Sequence, residues 1–159
     1  MIFATVGSQE PFDRLIKAVD EWAVTRSRSD VFAQVAGSKY RPKHIDFVDF
    51  IDPAEYNRRL TTSRVIVAHA GMGSIISALE LGKPIVVMPR RADLRETRND
   101  HQVAAANHFS LDGKIIVAVD ERQLSEKLDY ALTLGESDGI AKQASPRLIA
   151  TIRDFLNCV

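Results

Sequence analysis

The sequence predicts an α/β domain, a doubly wound and mostly parallel sheet with helices on both faces, of the Rossmann-like kind. Three observations lead there. Short apolar, β-rich runs alternate with helical stretches along most of the chain, the pattern of strand–helix–strand units. Two of those runs, "RVIVAHA" (64–70) and "PIVVMP" (84–89), are apolar without alternation, as strands covered on both faces are. No linker, internal repeat or low-complexity stretch divides the 159 residues, so they read as one domain, 1–159, long enough for a sizeable core.

Taken in order, "IFATV" (2–6) is a strand and "GSQEP" the loop after it. From Phe12, the residues Phe12, Leu15, Ile16, Val19 and Trp22 fall at helical spacing, with Pro11 where a first helical turn tolerates it. "VFAQVA" (31–36) and "HIDFVDFI" (44–51) are the second and third strands, and Asp52-Pro53 opens a short helix over 53–63. The apolar run 64–70 is the fourth strand, followed by a helix from about Ser74 to Leu81 that Gly82 stops. The run 84–89 is the fifth strand. After an arginine-rich loop come a helix over 100–109, a strand over 114–119 and an amphipathic helix over 121–134. The last helix, about 145–157, has Leu148, Ile149, Ile152, Phe155 and Leu156 on one side. That side packs on the sheet or meets a partner.

Composition narrows the classes of function. Lysine and arginine total 21 and so do aspartate and glutamate. No global field therefore draws the chain to nucleic acid or anionic lipid, and such a contact would need a local patch. No apolar run reaches the roughly 18 residues of a membrane span. The opening "MIFATVGSQE" has no basic region before its apolar residues and reads as a strand rather than a signal peptide. The single cysteine, Cys158, excludes an internal disulfide. Together these features suit a cytoplasmic protein. His44, His69, His101 and His108 have no coherent ligand spacing, so no metal is expected.

The stretch "HAGMGSIISALELGKPIVVMPRR" (69–91) carries the chemistry. In open α/β sheets ligands bind beyond the carboxyl ends of the strands, where loops lead into helix N-termini. Such a terminus offers unpaired N–H groups and the positive end of a dipole, both suited to phosphate. Gly71 and Gly73 would let the backbone approach a phosphate without a Cβ in the way. Ser74 would add a hydroxyl, and His69, at the strand's end, a ring N–H. A glycine-rich turn with nothing bound is the competing local reading.

Two better-known phosphate loops fit less well. A dinucleotide fingerprint needs a third glycine where Ile76 stands, and about 20 residues past Gly71 it needs an acid where Arg90-Arg91 stands. An arginine there suits a 2′-phosphate, which leaves an NADP-binding domain as an alternative. A P-loop needs a glycine where Ser77 stands and a Ser or Thr where Pro84 stands, and it fails.

"HAGMGS", "ALELGKPIVVMPRR" and "NDHQ", in this order, together with the opening "TVGSQEPFDRLIKAVDEWA", resemble the donor-binding half of the GT-B glycosyltransferases. This is the family 28 C-terminal domain, and the likeness is strongest to small single-domain subunits of the Alg13 and of the PssE and EpsF kind. It covers the chain to about residue 120. The resemblance implies a division of labour. This chain would hold the UDP-sugar, and a separate membrane-associated subunit would supply the lipid-linked acceptor and the general base. The reaction implied is transfer of a sugar from a UDP-sugar to a saccharide on a lipid carrier, in exopolysaccharide or capsule synthesis. UDP-sugar is then substrate, with no cofactor, and the partner would recruit the chain to the cytoplasmic membrane face. Without that partner, its docking surface would allow homodimers. A nucleotide-sugar-binding module without turnover is the alternative.

Carried over residue by residue, the resemblance puts the diphosphate on the loop from His69 through Gly71, Met72, Gly73 and Ser74. It turns Gly7, Ser8 and Gln9 toward the same cleft and gives the sugar hydroxyls to Asp100 and Gln102. Asp100 also suits a helix cap. Arg90, Arg91, Arg95 and Arg98 would meet the leaving diphosphate, the partner or an anionic lipid, and Glu96 would pair with them or reach the sugar. Two departures stand out. Ser77 occupies the place of a ribose-binding glutamate. Arg95 and Thr97 occupy the places of a glycine and a histidine in the similar bacterial subunits.

Overall fold

Alternation along each strand decides which side chain faces which layer, and here it builds two cores. A computed structural model describes residues 1–104, 106 and 115–136 of the chain. The strands are β1 (Ile2–Thr5), β2 (Val31–Gln34), β3 (Asp46–Val48), β4 (Val65–His69), β5 (Ile85–Met88) and β6 (Ile116–Val117). The helices are α1 (Asp13–Thr25), α2 (Pro53–Thr62), α3 (Met72–Glu80) and α4 (Glu121–Thr133). A helical turn also covers residues 101–104. All five strand pairings are parallel, in the order β3-β2-β1-β4-β5-β6. That is the doubly wound order, which runs outward in both directions from the β1–β4 seam.

Ile2 and Ala4 of β1, Val65 and Val67 of β4, and Val86 and Met88 of β5 face one layer, where α1 and α4 cover them with Leu15, Ile16, Val19, Trp22, Leu124 and Leu128. Their neighbours Phe3, Ile66, Ala68, Ile85 and Val87 face the other layer, against Leu60 of α2 and Ile75 and Ala78 of α3. Strands β1 and β5 are buried along their whole length, and so is β4 up to His69. Burial on both faces explains why these runs are apolar without alternation.

Local chemistry sets the helix ends. The Asp52 carboxylate accepts the Glu55 N–H at 2.9 Å with Pro53 in the first turn, the arrangement the sequence predicts. Asp120 caps α4 through the N–H groups of Arg122 and Gln123. At the end of α3, Gly82 adopts φ +64, its N–H donates to the Leu79 carbonyl and the Lys83 N–H donates to that of Ala78. This paired closure ends the helix where the glycine predicts it.

Several boundaries differ from expectation. The strands expected over 31–36 and 44–51 contract to Val31–Gln34 and Asp46–Val48; the Val35 and Ala36 N–H groups still donate to the Val48 and Asp49 carbonyls, and Ala36, at φ +46, then turns the chain. The first helix begins at Asp13 after an N-cap at Phe12, so Pro11 precedes the helix instead of occupying its first turn. Helix α3 begins at Met72, two residues before the expected start, and takes Gly73 into its first turn. The expected C-terminal helix and Cys158, with parts of the 100–109 and 114–119 segments, lie outside the described residues.

Candidate functional site

The loops after β1, β3, β4 and β5 all leave the carboxyl edge of the sheet. They surround one cleft of about 840 Å³. Of the residues singled out from sequence, Gly7, Ser8, Gln9, His69, Gly71, Met72, Gly73, Ser74, Arg90 and Gln102 line it. Glu96 and Asp100 do not.

The floor is the N-terminus of α3. Gly71 is its N-cap, and helix geometry leaves the N–H groups of Met72, Gly73 and Ser74 without intrahelical acceptors. A Cβ built on Gly73 meets nothing within 4 Å, so the backbone there is open to the cleft. Gly71 has a different reason to be glycine. Its Cβ would lie 2.2 Å from His69 Nε2, and one on Gly7 would lie 2.9 Å from His69 Cε1. The imidazole is thus held between two backbones, and the missing side chains make room for the ring. Gly7 is required twice, since its φ of +82 also favours glycine.

Burial of the His69 ring and the neighbouring Arg90 charge push its pKa down to about 4, with the Thr5 backbone offsetting them in part. His69 is therefore neutral at neutral pH. Its Nδ1 is buried, with no hydrogen bond of ordinary geometry. The Ser74 hydroxyl, expected as a phosphate donor, lies 3.1 Å from the Tyr56 hydroxyl and is largely buried. One of the two hydroxyls donates to the other, so the Ser74 side chain is partly committed to Tyr56, and the Ser74 backbone N–H at the helix N-terminus stands beside it.

Arg90 is the buried cation of the site. It is 4% exposed and lies against the Phe12 ring, 5.1 Å from its centroid. Its Nη2 donates to the carbonyls of Val6 (2.9 Å) and Glu10 (2.6 Å), which ties down the β1–α1 loop. Its Nε is buried with no partner, and burial pulls the guanidinium pKa below its ordinary value. No described carboxylate forms an ion pair with it. Gln102 accepts the Arg90 backbone N–H at 3.2 Å through Oε1 and turns the rest of its amide to the cleft. Arg91 pairs with Asp93. Of the two arginines that would favour a 2′-phosphate, Arg91 is engaged by Asp93, while Arg90 lines the cleft.

Glu96 and Asp100 hold the next loop together. The Glu96 carboxylate takes both Nε and Nη2 of Arg14, at 2.7 and 2.8 Å, and the Arg91 N–H at 3.0 Å. Arg14 also reaches the Pro89 carbonyl and Glu121. Asp100 accepts the Ala92 N–H at 2.9 Å, and its backbone carbonyl opens the following helical turn by accepting the Ala104 N–H. These carboxylates are occupied in shaping the 91–100 loop.

The structure adds residues that sequence reasoning did not assign. Ile51, Pro53 and Tyr56 form a largely apolar flank on the β3–α2 side, and Gln34 reaches in from β2 with its Nε2 on the Gly7 carbonyl. Ser77 and Thr97, noted in the sequence only as departures from a pattern, also line the cleft. Glu10 stands at its mouth. Among the described residues, no group of three or more His, Cys, Asp or Glu is placed to hold a metal ion.

The fold has close counterparts. The solution structure of ALG13 superposes with a TM-score of 0.61 at 18% identity, over 94% of this chain and 93% of that one. The glycotransferase of kitacinnamycin (0.55, 21% identity) and the spinosyn forosaminyltransferase SpnP (0.60, 17%) align over 97% and 83% of this chain. This chain spans only 37% and 34% of those two proteins. At such identities the likeness is one of fold. No curated protein matches the sequence. The family model of the glycosyltransferase family 28 C-terminal domain matches residues 1–151, and the chain belongs to that family.

Proposed function

We propose that this chain is the donor-binding subunit of a two-part glycosyltransferase that takes its sugar from a UDP-sugar, the acceptor being a lipid-linked saccharide held by a second, membrane-associated chain. The observation that carries the proposal is the cleft at the carboxyl edge, where the open N-terminus of α3 lies between an apolar flank and a polar one. A nucleoside diphosphate sugar has the same three-part character. Its diphosphate suits the N–H groups of Met72, Gly73 and Ser74. Its flat base suits Ile51, Pro53 and Tyr56 on the β3 side, and its sugar hydroxyls suit Gln102 and Thr97 on the β5 side.

In the transfer, an acceptor hydroxyl oxygen bonds to the anomeric carbon while UDP leaves with the electron pair of the old bond. Negative charge grows on the diphosphate. The buried Arg90 and the helix N–H groups are fixed beforehand and oppose that charge without reorganising. Neutral His69 adds a ring surface, not a cation. The acceptor's proton goes to a base on the other chain, which holds the acceptor. Such a partner would also bring the chain to the cytoplasmic membrane face, in assembly of an exopolysaccharide or capsule.

Calorimetric titration with UDP, UDP-sugars, uridine and NADP tests the reading. UDP should bind, Gly73→Val should weaken it about tenfold or more by filling the open approach, and Ile51→Asp should weaken uridine as well as UDP. Gln102→Ala should spare UDP and weaken the UDP-sugars. Binding of NADP alone would refute the proposal. Transfer restored by adding an acceptor subunit separates an enzyme from a binding module without turnover.

A further inference from the structure

Beside the cleft lies a second hollow of about 430 Å³. It shares Glu10 and Thr97 with the cleft, so the two adjoin. Arg95 and Arg98 line it, both exposed, and neither side chain forms a hydrogen bond or an ion pair with any described residue. The contrast with the surroundings is sharp. Arg14 and Glu96 satisfy each other, Arg91 has Asp93, and Arg90 holds two carbonyls. Glu96 also lines the hollow, but its carboxylate is already taken by Arg14 and the Arg91 N–H. What remains for a ligand is two free guanidiniums opposed by Glu10. Arg95 is moreover held at φ +58, a left-handed conformation that a side chain rarely adopts, in a loop fixed by the partly buried Arg14–Glu96 pair.

We propose that this hollow is an anion subsite continuous with the donor cleft, in which Arg95 and Arg98 take a carboxylate or phosphate of a substrate engaged there. The inference rests on the donor-cleft reading above. Guanidinium forks match the oxygens of both groups, so two sources share the chemistry. One is a carboxylate on the donor sugar itself. The other is the phosphate of an acceptor's lipid carrier, arriving while the nucleotide is bound.

The test uses the full chain in calorimetry, with two arms. The first compares UDP-glucuronate with UDP-glucose. The second adds geranyl diphosphate to protein saturated with UDP. In one arm the wild type should show a gain of about tenfold, UDP-glucuronate over UDP-glucose or geranyl diphosphate binding above background. Arg95→Gln with Arg98→Gln should abolish that gain and leave the Kd for UDP unchanged, which also reports intact folding. Glu10→Gln should strengthen it, and added salt should weaken it. The arm that responds identifies the source. If UDP binds but neither arm shows a gain, or the gain survives the double substitution, the subsite is refuted and the donor cleft stands. If UDP itself fails to bind, both fall.

Discussion

Two loops border the cleft, and they are held by opposite means. The glycine loop at 69–74 is fixed by shape: a neutral imidazole fills the space between the Gly7 and Gly71 backbones. The arginine loop at 90–100 is fixed by charge: the Arg14–Glu96 pair, Arg91–Asp93, and Asp100 on a backbone N–H. A loop held by shape tolerates salt but no added atom. A loop held by ion pairs tolerates changes of size better than changes of charge. Around one cleft, then, a surface fixed by packing adjoins a surface fixed by charge.

The largest effect expected from this contrast is steric. Gly71→Ala puts a methyl into the His69 ring and should cost about 3 kcal/mol in urea unfolding. The double change Gly71→Ala with His69→Ala should recover most of that, and failure to recover would refute the interlock. Acid comes next. The folded imidazole titrates at about 4 against an ordinary 6.5, so the unfolded chain takes up the proton first. The stability this gives is complete above pH 6.5 and is lost as pH falls through that window toward 4. About 2 kcal/mol should be gone near pH 5, and His69→Gln should flatten the profile there.

Smaller effects belong to the arginine loop. Glu96→Gln removes the nearer, bidentate partner of the partly buried Arg14 charge, leaving it only the exposed Glu121, and should cost about 1–2 kcal/mol. In hydrogen exchange, the added opening should be confined to the 91–100 loop and the facing turn of α1. Last, Arg95→Gly relieves the left-handed φ and should stabilise by up to about 1 kcal/mol, while removing a charge from the proposed subsite. A destabilised Arg95→Gly would mean that the side chain holds the loop.

Parts of the molecule that depend on local pattern are legible in the sequence. The apolar runs of β1, β4 and β5, the Asp52-Pro53 start of α2 and the Gly82 end of α3 each contain their own cause. The two glycine loops and Arg90 just after β5 can be located from the sequence as lining the carboxyl edge. What is not legible depends on parallel pairing across the sheet. Ile51, Tyr56 and Gln34 enter the cleft only because β3 and β2 stack beside β1, and nothing in their own neighbourhood announces it. Glu96 and Asp100 mislead for the converse reason. Acids beside arginines in sequence invite a ligand, yet the partner of Glu96 is Arg14, 82 residues away. The reason for Gly71 was hidden too, since a glycine spared for a ligand and one spared for a neighbouring ring read alike.

That last feature has a consequence for how such sequences drift. Position 7 must stay glycine on backbone grounds alone, whatever stands at 69. Position 71, at φ −94, has no such demand, and the three atoms nearest to a side chain there all belong to the ring. Descendants that lose the histidine are therefore released to accept alanine or serine at 71, whereas those that keep it are not. The two positions should be inherited as a pair, with glycine at 7 indifferent to the exchange.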